Sequence, residues 1–191
     1  MLFCSDLQKP ECYEDTMKLF PAFKFIALDI LKNPSETKHD VVLCLSLIYL
    51  FDNNMLTAFF RNVYESLLPK GRLILDSAGS PDNLLSFFFH DRYLKYEVIV
   101  YRIASLILKQ KWAGFTVNHH GYRRTDEEII SSARENGFKF LEKQHHVFLP
   151  DFRRSLLFNK LITQGSMLEK IFSPLAKHMP YIRMFLFEKM D

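Results

Sequence analysis

The sequence predicts an open α/β sheet with helices on both faces. Apolar runs of strand length repeatedly end in acidic or polar residues, and segments with helical apolar spacing follow them. In the first half the strands recur about 20 to 35 residues apart, the spacing of strand–helix units in a mostly parallel sheet. A chain of 191 residues, 48% apolar and 25% charged, has material for one core, so residues 1–191 are expected to form a single domain.

The elements follow in order. Met1 to Cys4 is a short apolar run that ends at Ser5-Asp6, and beyond Pro10 the residues Tyr13, Met17 and Phe20 fall at helical spacing. Pro21 stops that helix, and Phe23 to Leu28 reads as a buried strand closed by Asp29. Asp40 to Leu50 (DVVLCLSLIYL) begins as the continuous apolar run expected of a strand covered on both faces. Asp52 and Asn53 can cap the next helix, whose apolar face is marked by Leu56, Phe59, Phe60, Val63, Leu67 and Leu68. Pro69-Lys70-Gly71 ends it, and Arg72 to Leu75 forms the next strand, closed by Asp76-Ser77. Asp82 to Trp112 is helical in pattern and rich in aromatics. Thr125-Asp126-Glu127-Glu128 is a capping box that opens a helix ending at Asn136-Gly137. Phe138 to Val147 is a strand, two helices fill Asp151 to His178, and Tyr181 to Glu188 is the last strand.

Charge is uneven. Met1 to Asn83 hold 8 basic and 11 acidic residues, whereas Leu84 to Asp191 hold 17 and 11. The basic excess is spread along helices with few clusters beyond Arg123-Arg124 and Arg153-Arg154, the pattern of a solvated face and not of a nucleic-acid site. Cys4, Cys12 and Cys44 have neither the number nor the spacing of a disulfide framework or a structural zinc site. His119-His120 and His145-His146 are adjacent pairs that point apart on a strand or helix, so no metal is expected. The chain opens with no signal peptide, and its longest apolar stretch, Val98 to Leu108, is broken by Arg102 and falls short of the roughly 20 residues a span needs. A cytoplasmic protein is expected. Its oligomeric state is not encoded in these patterns.

In such sheets ligands bind beyond the carboxyl ends of the strands. That rule selects Ser5-Asp6, Asp29-Ile30, Leu45-Ser46 and Asp76-Ser77. At these positions the chain resembles a class I S-adenosylmethionine-dependent methyltransferase of the small-molecule type. Asp40 to Tyr49 followed by Leu67-Leu68-Pro69-Lys70-Gly71-Arg72-Leu73-Ile74-Leu75 is similar to the family's fourth strand, helix and fifth strand. Thr125 to Phe138 (TDEEIISSARENGF) is similar to the helix and turn before its sixth strand. The resemblance covers most of residues 1–146, in order.

It implies a three-layer Rossmann-like sheet with S-adenosyl-L-methionine as cofactor. Asp6, with Leu7 beside it, would accept from the ribose hydroxyls; Asp29 would accept from the adenine amino group, with Ile30 against the ring; Leu45 and Ser46 would line the same site. A carboxylate suits a vicinal diol because it offers acceptors only. Helical inserts would follow the fifth and sixth family strands: 82–112 as a lid and 151–178 before the last strand.

The family's first strand and G-x-G-x-G loop lie about 20 residues before the residue matched by Asp6. Only five residues precede Asp6 here, and Gly71, Gly79, Gly114, Gly121, Gly137 and Gly165 form no such motif. The sheet is therefore expected to be incomplete at the N-terminus, with two unpaired edges in its middle and a split or re-paired arrangement. Each acidic residue alone reads equally well as a helix cap or loop carboxylate; their joint placement at consecutive strand ends favours the cofactor reading. His120 and Tyr122 are candidates for a general base or an orienting donor, set against a role as surface loop residues. Phe87-Phe88-Phe89, Tyr93, Tyr96 and Tyr101 fit core packing, a lid over an apolar substrate, or a membrane contact. A short-chain dehydrogenase is disfavoured because no Tyr-x-x-x-Lys is present. Methylation of nucleic acid or glutamine is disfavoured because Leu45-Ser46-Leu47-Ile48 stands where N/D-P-P-Y/F is usual. The expected function is methyl transfer to a small-molecule acceptor of apolar or lipid-like character; the alternative is a non-catalytic, methyltransferase-derived binding protein or fragment.

Overall fold

The computed structural model describes residues 2–6, 13–19, 21, 23–83, 88–107, 121–150, 156–163, 165–178 and 180–191. Among the described residues the strands are β1 (Leu2–Asp6), β2 (Phe23–Ala27), β3 (His39–Cys44), β4 (Leu67–Ala78), β5 (Phe138–Pro150) and β6 (Pro180–Lys189). The α-helices among them are α1 (Tyr13–Leu19), α2 (Asn53–Ser66), α3 (Leu94–Ile107), α4 (Asp126–Glu135), α5 (Leu156–Leu161) and α6 (Met167–Phe172). A 3-10 turn at Ile48–Leu50 follows β3, and a π-helical turn at Phe88–Tyr93 leads into α3. The helices α5 and α6, with a further 3-10 turn at Ser173–Lys177, occupy the stretch expected to hold two helices.

The described strands form two sheets: β1 pairs with β2 in parallel, and the other four follow the order β3-β4-β6-β5. β3 is parallel to β4, whereas β6 runs antiparallel to both of its neighbours. β1 is paired to β2 and not to β3, so the sheet is split and not re-paired.

Local chemistry sets the helix boundaries. Asp52 accepts from the Met55 amide at 2.8 Å and starts α2. Thr125 and Glu128 make both hydrogen bonds of the capping box at the start of α4. After α4, Gly137 adopts φ +87°, and a Cβ there would meet the Tyr64 ring at 2.6 Å. Only glycine turns the chain this sharply beneath that ring.

The core lies between one face of the four-stranded sheet and helices α2 and α4. Val42, Leu73 and Phe187 are lined up by register across β3, β4 and β6, with Cys44, Leu75 and Phe185 in a second row. Against them pack Leu56, Phe59, Phe60 and Val63 of α2 and Ile129 and Ala133 of α4. Phe60 contacts both Phe138 and Phe187 at ring-centroid distances of 6.0 and 6.2 Å. The end of β6 is stapled to the end of α2 by Lys189, whose ammonium donates to the Tyr64 and Leu67 carbonyls at 2.9 Å.

The structure corrects the sequence reading in three places. Leu67 and Leu68, read as part of the apolar face of α2, and Pro69-Lys70-Gly71, read as the turn that ends it, belong to β4, which begins directly after Ser66. Asp6 is the last residue of β1 and does not lie past its end. β3 is not covered on both faces: Val41 and Leu43, on the face away from the core, are 51% and 58% exposed, while Cys44 on the core face is buried.

Candidate functional site

The carboxyl ends of the parallel strands bear the residues selected from the sequence. Asp6 pairs in register with Ala27, and Asp29 lies two residues beyond, so both lie toward the same end of the β1–β2 pair. Leu7 and His120 fall outside the described residues. The Asp29 carboxylate is engaged by its own turn: Oδ1 accepts from the Leu31 amide at 3.2 Å, and Oδ2 pairs with Lys32 at 3.1 Å. Its carbonyl accepts from the Lys32 and Asn33 amides, which closes the turn. Ile30 is held by Asn62 of α2, which donates to its carbonyl at 2.7 Å. Ile30 and Leu47, which follow the ends of β2 and β3, pack against the same core.

Ser46 has φ +54°, the left-handed region that non-glycine residues seldom adopt. Buried Asp76, on β4, holds it there: the Ser46 amide donates to Oδ1 at 2.5 Å and its hydroxyl to Oδ2 at 3.5 Å. Such strain persists only where surrounding groups enforce it. Beside this contact, burial first and then the Asp76 carboxylate push the Cys44 thiol up to about 12, so it packs as an inert apolar group. Leu45 is half exposed.

Residues 121–124 form a strap across the turn after β3. The Tyr122 amide donates to the Tyr49 carbonyl at 2.6 Å, and a Cβ on Gly121, at φ +48°, would lie 1.9 Å from that oxygen. Buried Arg124 donates to the Ile48 and Phe51 carbonyls and to Asn53 Oδ1. Burial lowers the Arg124 pKa from its ordinary value, while Glu128 and Asp52 pull it back up. Tyr122 itself is 53% exposed, with the Arg124 guanidinium 5.5 Å from its ring centre.

Arg183 of β6 ties this strap to the sheet. Fully buried, it donates to the Ala78 carbonyl, Ser77 Oγ, the Arg124 carbonyl and the Asp126 carboxylate. Burial pushes its pKa down, and Asp126 opposes that. Burial of Asp126 works to raise its pKa, but the Lys143 hydrogen bond and the Arg183 charge outweigh it and hold the carboxyl below the usual range. The sequence reading singled out neither Asp126 nor Arg183 as a site residue, and it took Arg124 for part of a surface cluster. Arg183 sits among alternating strand residues, where no short motif marks it.

No family model matches the sequence, and no curated protein does either. Solved structures are similar throughout the chain. PKMT2 from Rickettsia typhi in complex with AdoHcy matches with a TM-score of 0.62 at 14% identity, over 99% of this chain and 44% of that one. The 1,6-didemethyltoxoflavin-N1-methyltransferase of Burkholderia thailandensis, with bound 1,6-didemethyltoxoflavin and S-adenosylhomocysteine, matches with a TM-score of 0.59 at 12% identity, over 99% and 61%. The N-methyltransferase NodS from Bradyrhizobium japonicum matches with a TM-score of 0.50 at 15% identity, over 100% and 74%. The fold is a partial Rossmann-like methyltransferase fold. The chain spans less than two thirds of the first two of these proteins. No helix among the described residues is long and apolar enough to cross a membrane.

Asp29 and Ile30 lie beyond the carboxyl end of β2 and Ser46 beyond that of β3, and the Asp29 carboxylate is engaged by Leu31 and Lys32. The left-handed Gly121 is filled by the chain's own Tyr49 carbonyl.

Proposed function

We propose that this chain carries the adenosine-facing and acceptor-facing part of an S-adenosylmethionine-dependent methyltransferase acting on a small molecule. The observation that carries the reading is the methyltransferase-like strand order with Asp29-Ile30 and Ser46 at its carboxyl ends. Asp6, Leu7, Asp29, Ile30, Leu45 and Ser46 are the cofactor contacts in this reading, and His120 and Tyr122 are the candidates for handling a proton of the acceptor. Residues 82–112 act as a lid over an apolar acceptor. Proton transfer by a positioned group and exclusion of water are the contributions this chain would make.

The split between β1 and β3 favours a second reading, a methyltransferase-derived protein that does not catalyse. Both readings share one expectation. A few hydrogen bonds, each worth roughly 0.5–1.5 kcal/mol net, do not offset the ordering cost of association without a closed pocket. Titration calorimetry of the 191-residue chain with S-adenosylmethionine is therefore expected to give weak binding or none. A low-micromolar Kd that Asp29→Ala abolishes would show that another segment replaces the glycine loop and would favour the enzyme. A low-micromolar Kd indifferent to Asp29→Ala would sink the site assignment.

A further inference from the structure

Helix α3 carries its large apolar residues on the outside. Tyr96, Ile99, Val100, Ile103, Leu106 and Ile107 recur at spacings of three and four residues and so share one face, and each is between 50% and 78% exposed. The opposite face, with Val98, Tyr101, Ala104 and Ser105, is the partly buried one. Among the described elements, α3 packs extensively only on the π-helical turn that leads into it. Glu97 ties it to α5, since Oε1 accepts from the Leu157 amide at 3.1 Å, and Leu157 and Leu161 add half-exposed apolar surface there.

We propose that α3 pairs with α3 of a second copy, making the chain a two-fold dimer. Spacing supports this first. Tyr96, Ile99, Ile103 and Leu106 follow one another at three, four and three residues, the seam by which one helix seats another, and that order reads the same in both directions. A two-fold axis at the level of Tyr101 therefore sets Ile99 of one copy opposite Ile103 of the other, and Tyr96 opposite Leu106, as a self-complementary interface requires. Area supports it second. A Val, Leu or Ile side chain presents on the order of 100 Å² and a tyrosine about 200 Å², so the exposed parts of these residues, with Leu157 and Leu161, sum to roughly 500 Å². A stable dimer takes about 800 Å² from each partner, of which roughly 65% is apolar in homodimers, and the two apolar areas agree. Exposed Lys95 and Arg102 lie about a quarter of a turn from the seam, where their head groups stay in water in either copy. The inference concerns assembly and stands apart from the methyl-transfer reading.

The experiment is sedimentation velocity of the full chain over a range of concentrations. A dimer is expected, and Ile99→Asp combined with Ile103→Asp should weaken it by about tenfold or more. Both side chains are half exposed within one copy, so circular dichroism of the variant should be unchanged. A second measurement tests the register. Under mild oxidation, a mixture of Ile99→Cys chains with Ile103→Cys chains should give more disulfide-linked dimer than either variant alone or the unsubstituted chain, whose own cysteines set the background. A chain that stays monomeric at every concentration, or a dimer that the double aspartate variant leaves intact, overturns the proposal. So does cross-linking no greater in the mixture than in the background, or a monomer that floats with phospholipid vesicles through this face.

Discussion

The two faces of the four-stranded sheet end in opposite conditions, although both carry large apolar residues. On one, Leu73, Leu75, Phe185 and Phe187 are fully buried beneath α2 and α4. On the other, Leu43 is 58% exposed, although it stands in register beside Ile74 and, through it, Leu186. A strand's apolar residues call for cover, but only a packed partner supplies it, and the stability of this fold is concentrated on the face that has one. The strap of residues 121–124 at the carboxyl ends depends on the same division, since it is fixed by charged groups reaching out from the covered side.

Arg183→Met should show the largest effect. It leaves the Asp126 charge and the Ala78 and Arg124 carbonyls without the guanidinium that satisfies them. Breaking a buried pair by removing one partner costs about 3–5 kcal/mol. Urea unfolding is the measurement. A loss below about 1 kcal/mol would mean that the strap and the sheet are held together by apolar packing alone.

Gly121→Ala comes next, because a methyl group cannot share space with the Tyr49 carbonyl and φ +48° is strained for alanine. The cost expected is of order 1–3 kcal/mol, with the strap lifted from the turn after β3. Hydrogen exchange should show faster exchange of the Tyr122 amide, which donates to Tyr49, while the Leu73 and Phe187 amides stay protected. Uniform loss of protection would show that strap and core unfold as one unit.

These residues also mark how far the sequence could be read. Continuous apolar runs, the Asp52 cap and the Thr125-Glu128 box are local signals that located the starts of α2 and α4, whereas β4 begins at Leu67, inside the stretch read as the end of a helix and its turn. Coverage of β3 was not readable, since a run such as DVVLCLSLIYL reports hydrophobicity and is silent on which element arrives to bury it. For the site, Asp29 and Ser46 were placed by strand-end position, but their partners were not legible. Lys32 and Leu31 bind Asp29 through a local turn, whereas Asp76 reaches Ser46 across 30 residues and Arg183 reaches Ser77 across 106.

Acid should weaken the covered side selectively. The folded carboxyl of Asp126 titrates below its unfolded value, so its pairing with Lys143 and Arg183 stabilises the protein fully above the unfolded pKa, about 4. The contribution disappears as pH falls through the lower folded value. Asp126→Asn should accordingly lower the melting temperature at neutral pH and bring wild type and variant closer together below about pH 4. A gap between them that stays constant down to pH 2 would assign the effect to packing around the side chain and not to its charge.

The smallest effect is expected at Leu43→Ser, and the comparison of the two faces depends on it most directly. Leu43 pairs in register with Ile74, and its neighbours Val42 and Cys44 point to the covered face. Because more than half of the Leu43 side chain is already in water, truncating it removes little buried area. Surface substitutions of this kind fall within about 0.5 kcal/mol. Serine also relieves an exposed apolar edge, which should reduce aggregation of the chain at high concentration. The measurement is paired: urea unfolding for stability and light scattering for self-association. Unchanged unfolding with lower scattering would establish that this face is bare in the isolated chain. A loss approaching the 2–5 kcal/mol typical of a buried leucine truncation would show that Leu43 is covered in solution, and the two faces of the sheet would then be equivalent.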